Sequence, residues 1–198
     1  MPETFRRQVT VTVDDITFTN VLEVEGDSIE STSPSVAAAK SGTLTTRTDD
    51  DTGVVTFATG HGFTTGNKID IFWSGGSRRA MDATVAGDAA TLDGGTGDNL
   101  PVLSTVITGM VPTEVPFVVD GDTVVGLAIS CSVPGYAVFV DDAAAEITDA
   151  TYALDNNESA TWISGDSTNP LAGDVTSLVK LSHGSTSAKE MTVKVVFN

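Results

Sequence analysis

"TFATGHGFTTGNKIDIFW", residues 56–73, admits two readings that lead to different folds. Glycines around a histidine, followed by a lysine, have the look of a loop that cradles a phosphate between a strand and a helix. The alternative is a glycine turn between two strands. Spacing decides between them. Gly60, Gly62 and Gly66 give G-x-G-x-x-x-G, one residue longer than the dinucleotide fingerprint, which also needs a helix after it. The next residues are "NKIDIFW", in which Ile69, Ile71 and Trp73 alternate as in a strand. The P-loop pattern fails as well, because Lys68 comes after Asn67 rather than a glycine and Ile69 stands where Ser or Thr is required. Without a helix N-terminus, no aligned set of amides is on offer to an anion. The stretch therefore reads as a turn joining strands. His61 reads as a turn residue bonded to nearby backbone rather than as a general base.

The same texture continues on both sides. Strands are expected at 43–48, 53–58, 67–73, 79–86 and 89–93, broken by glycine turns at the short, regular spacing of a small barrel or sandwich. Towards the N-terminus, Val9, Val11 and Val13 share one face and Thr10 and Thr12 the other. A "DD" turn and the returning "ITFTNVLEVEG" complete a hairpin. Downstream, strands are expected near 115–119, 124–132, 136–140 and 146–154, then in "SATWISG", "TSLVKLSH" and the terminal "KEMTVKVVFN". In the last of these Met191, Val193 and Val195 share a face. The N-terminal hairpin is expected in the same sheet system, since a lone hairpin is marginal in water. The fold class is thus all-β: an antiparallel β-sandwich formed by both chain ends, 1–41 and 113–198, with a small β-barrel-like domain, 42–112, inserted. The one helix-like piece is "SIESTSPSVAAAKSG", where Ser33 could cap, Pro34 suits the first helical position and Gly42 could end it. An extended linker is the equal alternative.

Composition bounds the function. An apolar fraction of 40% supports a packed core. Ten basic residues against 27 acidic ones give a net charge of −17. No Lys or Arg occurs between Arg79 and Lys180, a stretch holding fifteen acids. Tight binding to nucleic acid needs clustered cations to displace counterions, so no tight nucleic-acid binding is expected. An acidic surface or an acidic passage that repels DNA is compatible. The N-terminus lacks the apolar segment of a secretory signal, and no run reaches the roughly 20 apolar residues of a membrane helix. The chain is expected to be made in the host cytoplasm, to stay soluble and to have no membrane partner.

The candidate sites are few. Cys131, the single cysteine, sits in "VVGLAISCSV" without a nearby cation, as a small buried residue rather than a reactive thiol. His61 and His183 lack ligand spacing, and one cysteine makes no zinc set. "LDGGTGDN", 92–99, is a single glycine–aspartate loop, whereas calcium-binding repeats of that type need stacked copies. Adventitious calcium at Asp93, Asp98 or the "TDDDTG" loop is the weaker alternative. No G-x-S-x-G elbow occurs. Trp73 and Trp162 read as core or rim aromatics, with a tight loop at Asn169, Pro170 and Gly173 after the second. No catalytic residue, cofactor or metal is expected, and the chain is read as no enzyme.

"TWISGDSTNPLAGDVTSL" followed by a short alternating C-terminal strand resembles small β-sandwich virion structural proteins of tailed bacteriophages. "QVTVTVDDITFTNVLEVEGD" is similar to their opening hairpin, and "GHGFTTGNKIDIFW" to glycine-turn barrels in phage structural proteins. The resemblance spans roughly residues 7–40 and 115–198, and the 42–112 insert departs from its short form. It implies a virion location, a symmetric homo-oligomer, and partners among other virion proteins such as the major capsid protein. A capsid decoration or cement subunit, working by burying sheet edges and apolar loop tips, is the leading expectation. A tail-tube subunit with an acidic lumen for DNA passage is the alternative, and a carbohydrate-binding or adhesin-like module the third.

Overall fold

A computed structural model describes residues 6–13, 16–23, 28–32, 34–95, 99–116, 124–141, 146–154, 158–163 and 176–197, some of them by backbone alone. All regular structure among them is β. In chain order the strands are β1 (Arg6–Val13), β2 (Ile16–Glu23), β3 (Ser28–Thr32), β4 (Ser35–Val36), β5 (Lys40–Arg47) and β6 (Thr52–Phe57). Next come β7 (Lys68–Trp73), β8 (Gly76–Ala86), β9 (Ala89–Asp93), β10 (Val106–Met110), β11 (Thr113–Pro116) and β12 (Val124–Cys131). The last are β13 (Gly135–Asp141), β14 (Glu146–Leu154), β15 (Glu158–Ile163), β16 (Thr176–His183), β17 (Lys189–Glu190) and β18 (Thr192–Phe197). The chain divides into two compact units, one of Met1–Ser35, Glu114–Leu181 and Glu190–Asn198, the other of Val36–Thr113 and Ser182–Lys189. The expected insert, 42–112, falls within the second.

The second unit holds a closed six-stranded barrel in the order β10-β5-β6-β9-β8-β7. Period-two burial closes it. Leu44, Val55, Phe57, Ile69, Ile71, Met81, Ala83, Ala90, Leu92 and Ile107 form its core, joined by Leu100 from the loop before β10. On β9 the alternation is clean, with Ala90 and Leu92 buried and Thr91 and Asp93 exposed. Phe57 is the largest ring inside, and it fits because its neighbours are small. A Cβ at Gly42 would lie 2.8 Å from the Phe57 ring, and one at Gly109 would lie 2.9 Å from it. Glycine on β5 and β10 thus trades strand propensity for room inside the barrel.

The first unit carries two four-stranded sheets, β11-β16-β13-β14 and β15-β12-β18-β3. Every pairing resolved residue by residue in them is antiparallel. Both chain ends meet in one sheet, where β18 pairs β3 from Val193↔Thr32 to Phe197↔Ser28. β12 runs between β15 and β18, so Leu127 lies opposite Trp162 on one side and Val195 on the other. β13 is buried on both faces, from Ala137 to Val140, which is why it reads as an unbroken apolar run.

One open choice is decided and two expectations need correction. The piece read equally as a short helix or an extended linker is extended in its described residues, as β3, β4 and the approach to β5. Its backbone groups are claimed by distant chain: the Met191 amide donates to the Pro34 carbonyl and the Ala39 amide to the Ser185 carbonyl. Val36 and Ala39 are buried, and two helical turns could not bury them while making those bonds. The hairpin β1–β2 forms its own two-stranded sheet, registered from Arg6↔Glu23 to Val13↔Ile16, and β3 is the N-terminal strand that joins the C-terminal one. Finally β10, which closes the barrel, has no counterpart among the expected strands. The loop at Asn169, Pro170 and Gly173 lies outside the described residues, as do the side chains of Trp162 and Val195.

Candidate functional site

The loop between β6 and β7 is a turn. Gly60, Gly62 and Gly66 all adopt positive φ, +81°, +82° and +93°, with nothing within 4 Å of where a Cβ would stand. Glycine is needed here for the backbone path and not for space. Four of the loop's amides are already engaged. Phe63 N–H donates to His61 Nδ1 at 2.9 Å and Thr64 N–H to Asn67 Oδ1 at 2.8 Å. Gly66 N–H donates to the Ala83 carbonyl and Asn67 N–H to the Thr64 carbonyl. Lys68 pairs with Asp82 at 2.7 Å on the surface.

His61 has both ring nitrogens committed. A carbonyl can only accept, so Nε2 carries the hydrogen and donates to the Gly87 carbonyl at 3.1 Å. Nδ1 accepts from Phe63 and is therefore bare. The ring packs between Phe57 and Phe63, with centroids 5.7 and 5.0 Å away. His183 repeats the arrangement at the end of β16. Its Nε2 faces the Val36 carbonyl at 3.2 Å, and its Nδ1 accepts the Ser185 amide at 3.2 Å. Both are His-Gly-x hooks, built from "HGF" and "HGS", that hold a turn to distant backbone. Burial first, and then the nearby Lys189 charge, hold the His183 imidazole below its usual range, against the opposing pull of the Val36 carbonyl.

Two ionisable groups without any flag in the sequence are buried. Asp70 on β7 is 1% exposed. One carboxylate oxygen accepts the Ala80 amide at 2.7 Å, the other the Ser182 hydroxyl at 2.5 Å. The first bond repairs a bulge: Ile69 pairs Met81 and Ile71 pairs Arg78, so Arg79 and Ala80 together oppose Asp70. Ala80 sits at φ +55°, unusual for a residue with a side chain. Arg78, 7% exposed, reaches Asp51 at 2.8 Å and lies over Gly94. Asp51 belongs to the acidic β5–β6 turn. There Asp49 Oδ1 accepts the Asp51 and Thr52 amides, bonds that hold its carboxyl below the usual carboxylate value. Asp93 is spent likewise on the Gly95 amide, and Asp98 lies outside the described residues. Among the described residues no three acids, histidines or cysteines gather as a metal set.

Cys131 is buried and in no disulfide, and Trp73 packs against the barrel core. The outward-facing feature is apolar. Val102 is 75% exposed, Leu103 54% and Val106 63%. Their turn is well held: Ser104 N–H donates to the Leu44 carbonyl, Leu44 N–H to the Thr105 carbonyl, and the Thr105 hydroxyl to the Val102 carbonyl at 2.7 Å. The run "LPVLSTV" carried that signal in the sequence, as aliphatic residues around a proline where a polar loop is the norm. Asp70 and Arg78 gave no such signal, because their partners are set by tertiary structure.

No protein-family model matches the chain, and neither does a curated protein or a solved structure. No described helix is long and apolar enough to cross a membrane.

Proposed function

We propose that this chain is a non-enzymatic structural subunit of a bacteriophage virion, acting as a decoration or cement protein on the capsid shell. The observation that carries the proposal is the apolar tip of the barrel unit. Val102, Leu103 and Val106 are presented to solvent by a turn that its own backbone bonds make rigid. Leaving aliphatic side chains in water forgoes about 1.5–3 kcal/mol for each that a partner would bury. A rigid apolar tip on a strongly acidic chain suits docking into a preformed cleft, with charge keeping the free subunit soluble. The polar groups best placed for chemistry are occupied otherwise. Both histidines, Asp70 and Arg78 hold backbone or each other's elements in place.

The test is co-sedimentation with empty capsids and, separately, with tail tubes, for the wild type and a Val102→Ser, Leu103→Ser double variant. Binding to capsids that the double variant loses while keeping its melting temperature is expected. Binding to tail tubes alone would transfer the assignment to the tube. A chain that ignores both particles and binds an oligosaccharide column would overturn the structural reading in favour of an adhesin-like module.

A further inference from the structure

Ser182–Lys189 crosses the barrel unit as a strap. Its fastenings are polar. Ser182 bonds to Asp70, the Gly184 carbonyl accepts the Thr108 hydroxyl at 2.8 Å, and the Ser185 carbonyl accepts the Ala39 amide at 2.9 Å. His183 is the fastening that faces both ways. It is fully buried, it donates through Nε2 to Val36, and it accepts through Nδ1 from Ser185 within the strap. Only the neutral Nε2–H tautomer satisfies both bonds. A proton placed on Nδ1 would point at the Ser185 N–H, setting donor against donor inside a buried site.

We infer that His183 is an acid-sensitive latch: its protonation releases the Ser182–Lys189 strap from the barrel while the barrel's own core stays closed. This device does not depend on the virion assignment. Charged groups on the elements beside the ring are Lys189 and Glu190 on β17, Lys180 on β16, Lys68 and Asp70 on β7, and Lys40 and Arg47 on β5. Lys189 disfavours the imidazolium, and burial disfavours it more. In the open strap the ring is hydrated and takes a proton as pH falls through about 6.5, its ordinary value. In the closed strap it resists until a lower pH. The closed form therefore has its full advantage above about pH 6.5 and loses it as pH falls towards the value of the buried ring. The barrel's core cluster is apolar, and the other buried histidine, His61, hooks the β6–β7 turn to the Gly87 carbonyl rather than to the strap.

Amide hydrogen exchange of the full chain, corrected for the intrinsic pH dependence, tests this between about pH 7.5 and pH 5, the range in which histidine switches. Loss of protection at the Ser185 and Ala39 amides, with Val55 and Leu92 still protected, is the expected result. Protection kept at Ser185, or lost at Ser185 and Val55 together, would overturn the latch. His183→Gln removes the titration, and its strap should exchange independently of pH. A pH response retained in that variant would also overturn the assignment. Should the variant not fold, NMR titration of the wild-type ring decides, since a ring that protonates at or above about pH 6.5 gains nothing from opening.

Discussion

Replacing Asp70 with alanine should cost the barrel more than the loss of one surface acid, because two elements hang on that carboxylate. Its bonds at 2.7 Å to Ala80 and 2.5 Å to Ser182 are charge-assisted and shielded from water. Each is worth about 1.5–3 kcal/mol, and each leaves a buried donor behind when the acceptor goes. The sum for Asp70→Ala is about 3–5 kcal/mol, allowing for partial rescue by water. Asp70→Asn separates geometry from charge. Its carbonyl can still take the Ala80 amide, while its NH2 faces a Ser182 hydroxyl that can rotate to accept. That variant should lose only about 1–2 kcal/mol. Urea unfolding read by Trp73 fluorescence, in a Trp162→Phe background, reports on the barrel unit; the slope must match the wild type for the comparison to hold. An Asp70→Ala protein within about 0.5 kcal/mol of wild type would refute this account of the bulge, since that is the scatter of ordinary surface changes. So would an asparagine variant as damaged as the alanine one.

Two further outcomes concern the barrel. Gly42→Ala places a methyl group 2.8 Å from the Phe57 ring, the Val55 side chain and the Thr56 carbonyl, and should destabilise by about 1–3 kcal/mol in the same assay. Equilibrium dialysis against ATP, GTP and NAD should show no saturable binding at the 60–68 loop, and micromolar binding abolished by Lys68→Ala would reverse that reading.

Where local pattern controls structure, the sequence was a sufficient guide. β9 and β14 fall on the spans expected, 89–93 and 146–154, because alternation and flanking turns act within a few residues. The turn at 58–68 was legible for the same reason, since a glycine spacing either fits a phosphate loop or does not. What the sequence left open or missed shares a cause. The stretch after Pro34 has caps suited to a helix, but Ser185 and Met191, some 150 residues on, supply the partners that keep it extended. β10 carries an exposed Val106 and the crowded Gly109, so its periodicity is faint, and barrel closure rather than propensity sets it. Asp70 sits between two core isoleucines and reads as the wet face of its strand. It is dry because Ser182 and its neighbours lie over it. No window of sequence contains both.

The separation between Asp70 and Ser182 also bears on how the protein is born. All six barrel strands have left the ribosome once Met110 has emerged, yet the strap lies more than seventy residues further on. At about 5–20 residues per second, the nascent barrel waits several seconds or more for it. During that interval the Asp70 carboxylate is hydrated, and the bulge it supports is held from one side only. The partnership of β3 with β18 imposes a longer delay, since β3 stays unpaired along that edge until Thr192–Phe197 has emerged. Translation order therefore makes the barrel an early event and strap docking a late one. A chain truncated before Ser182 should be captured by chaperones with its barrel strands paired and its buried acid still wet.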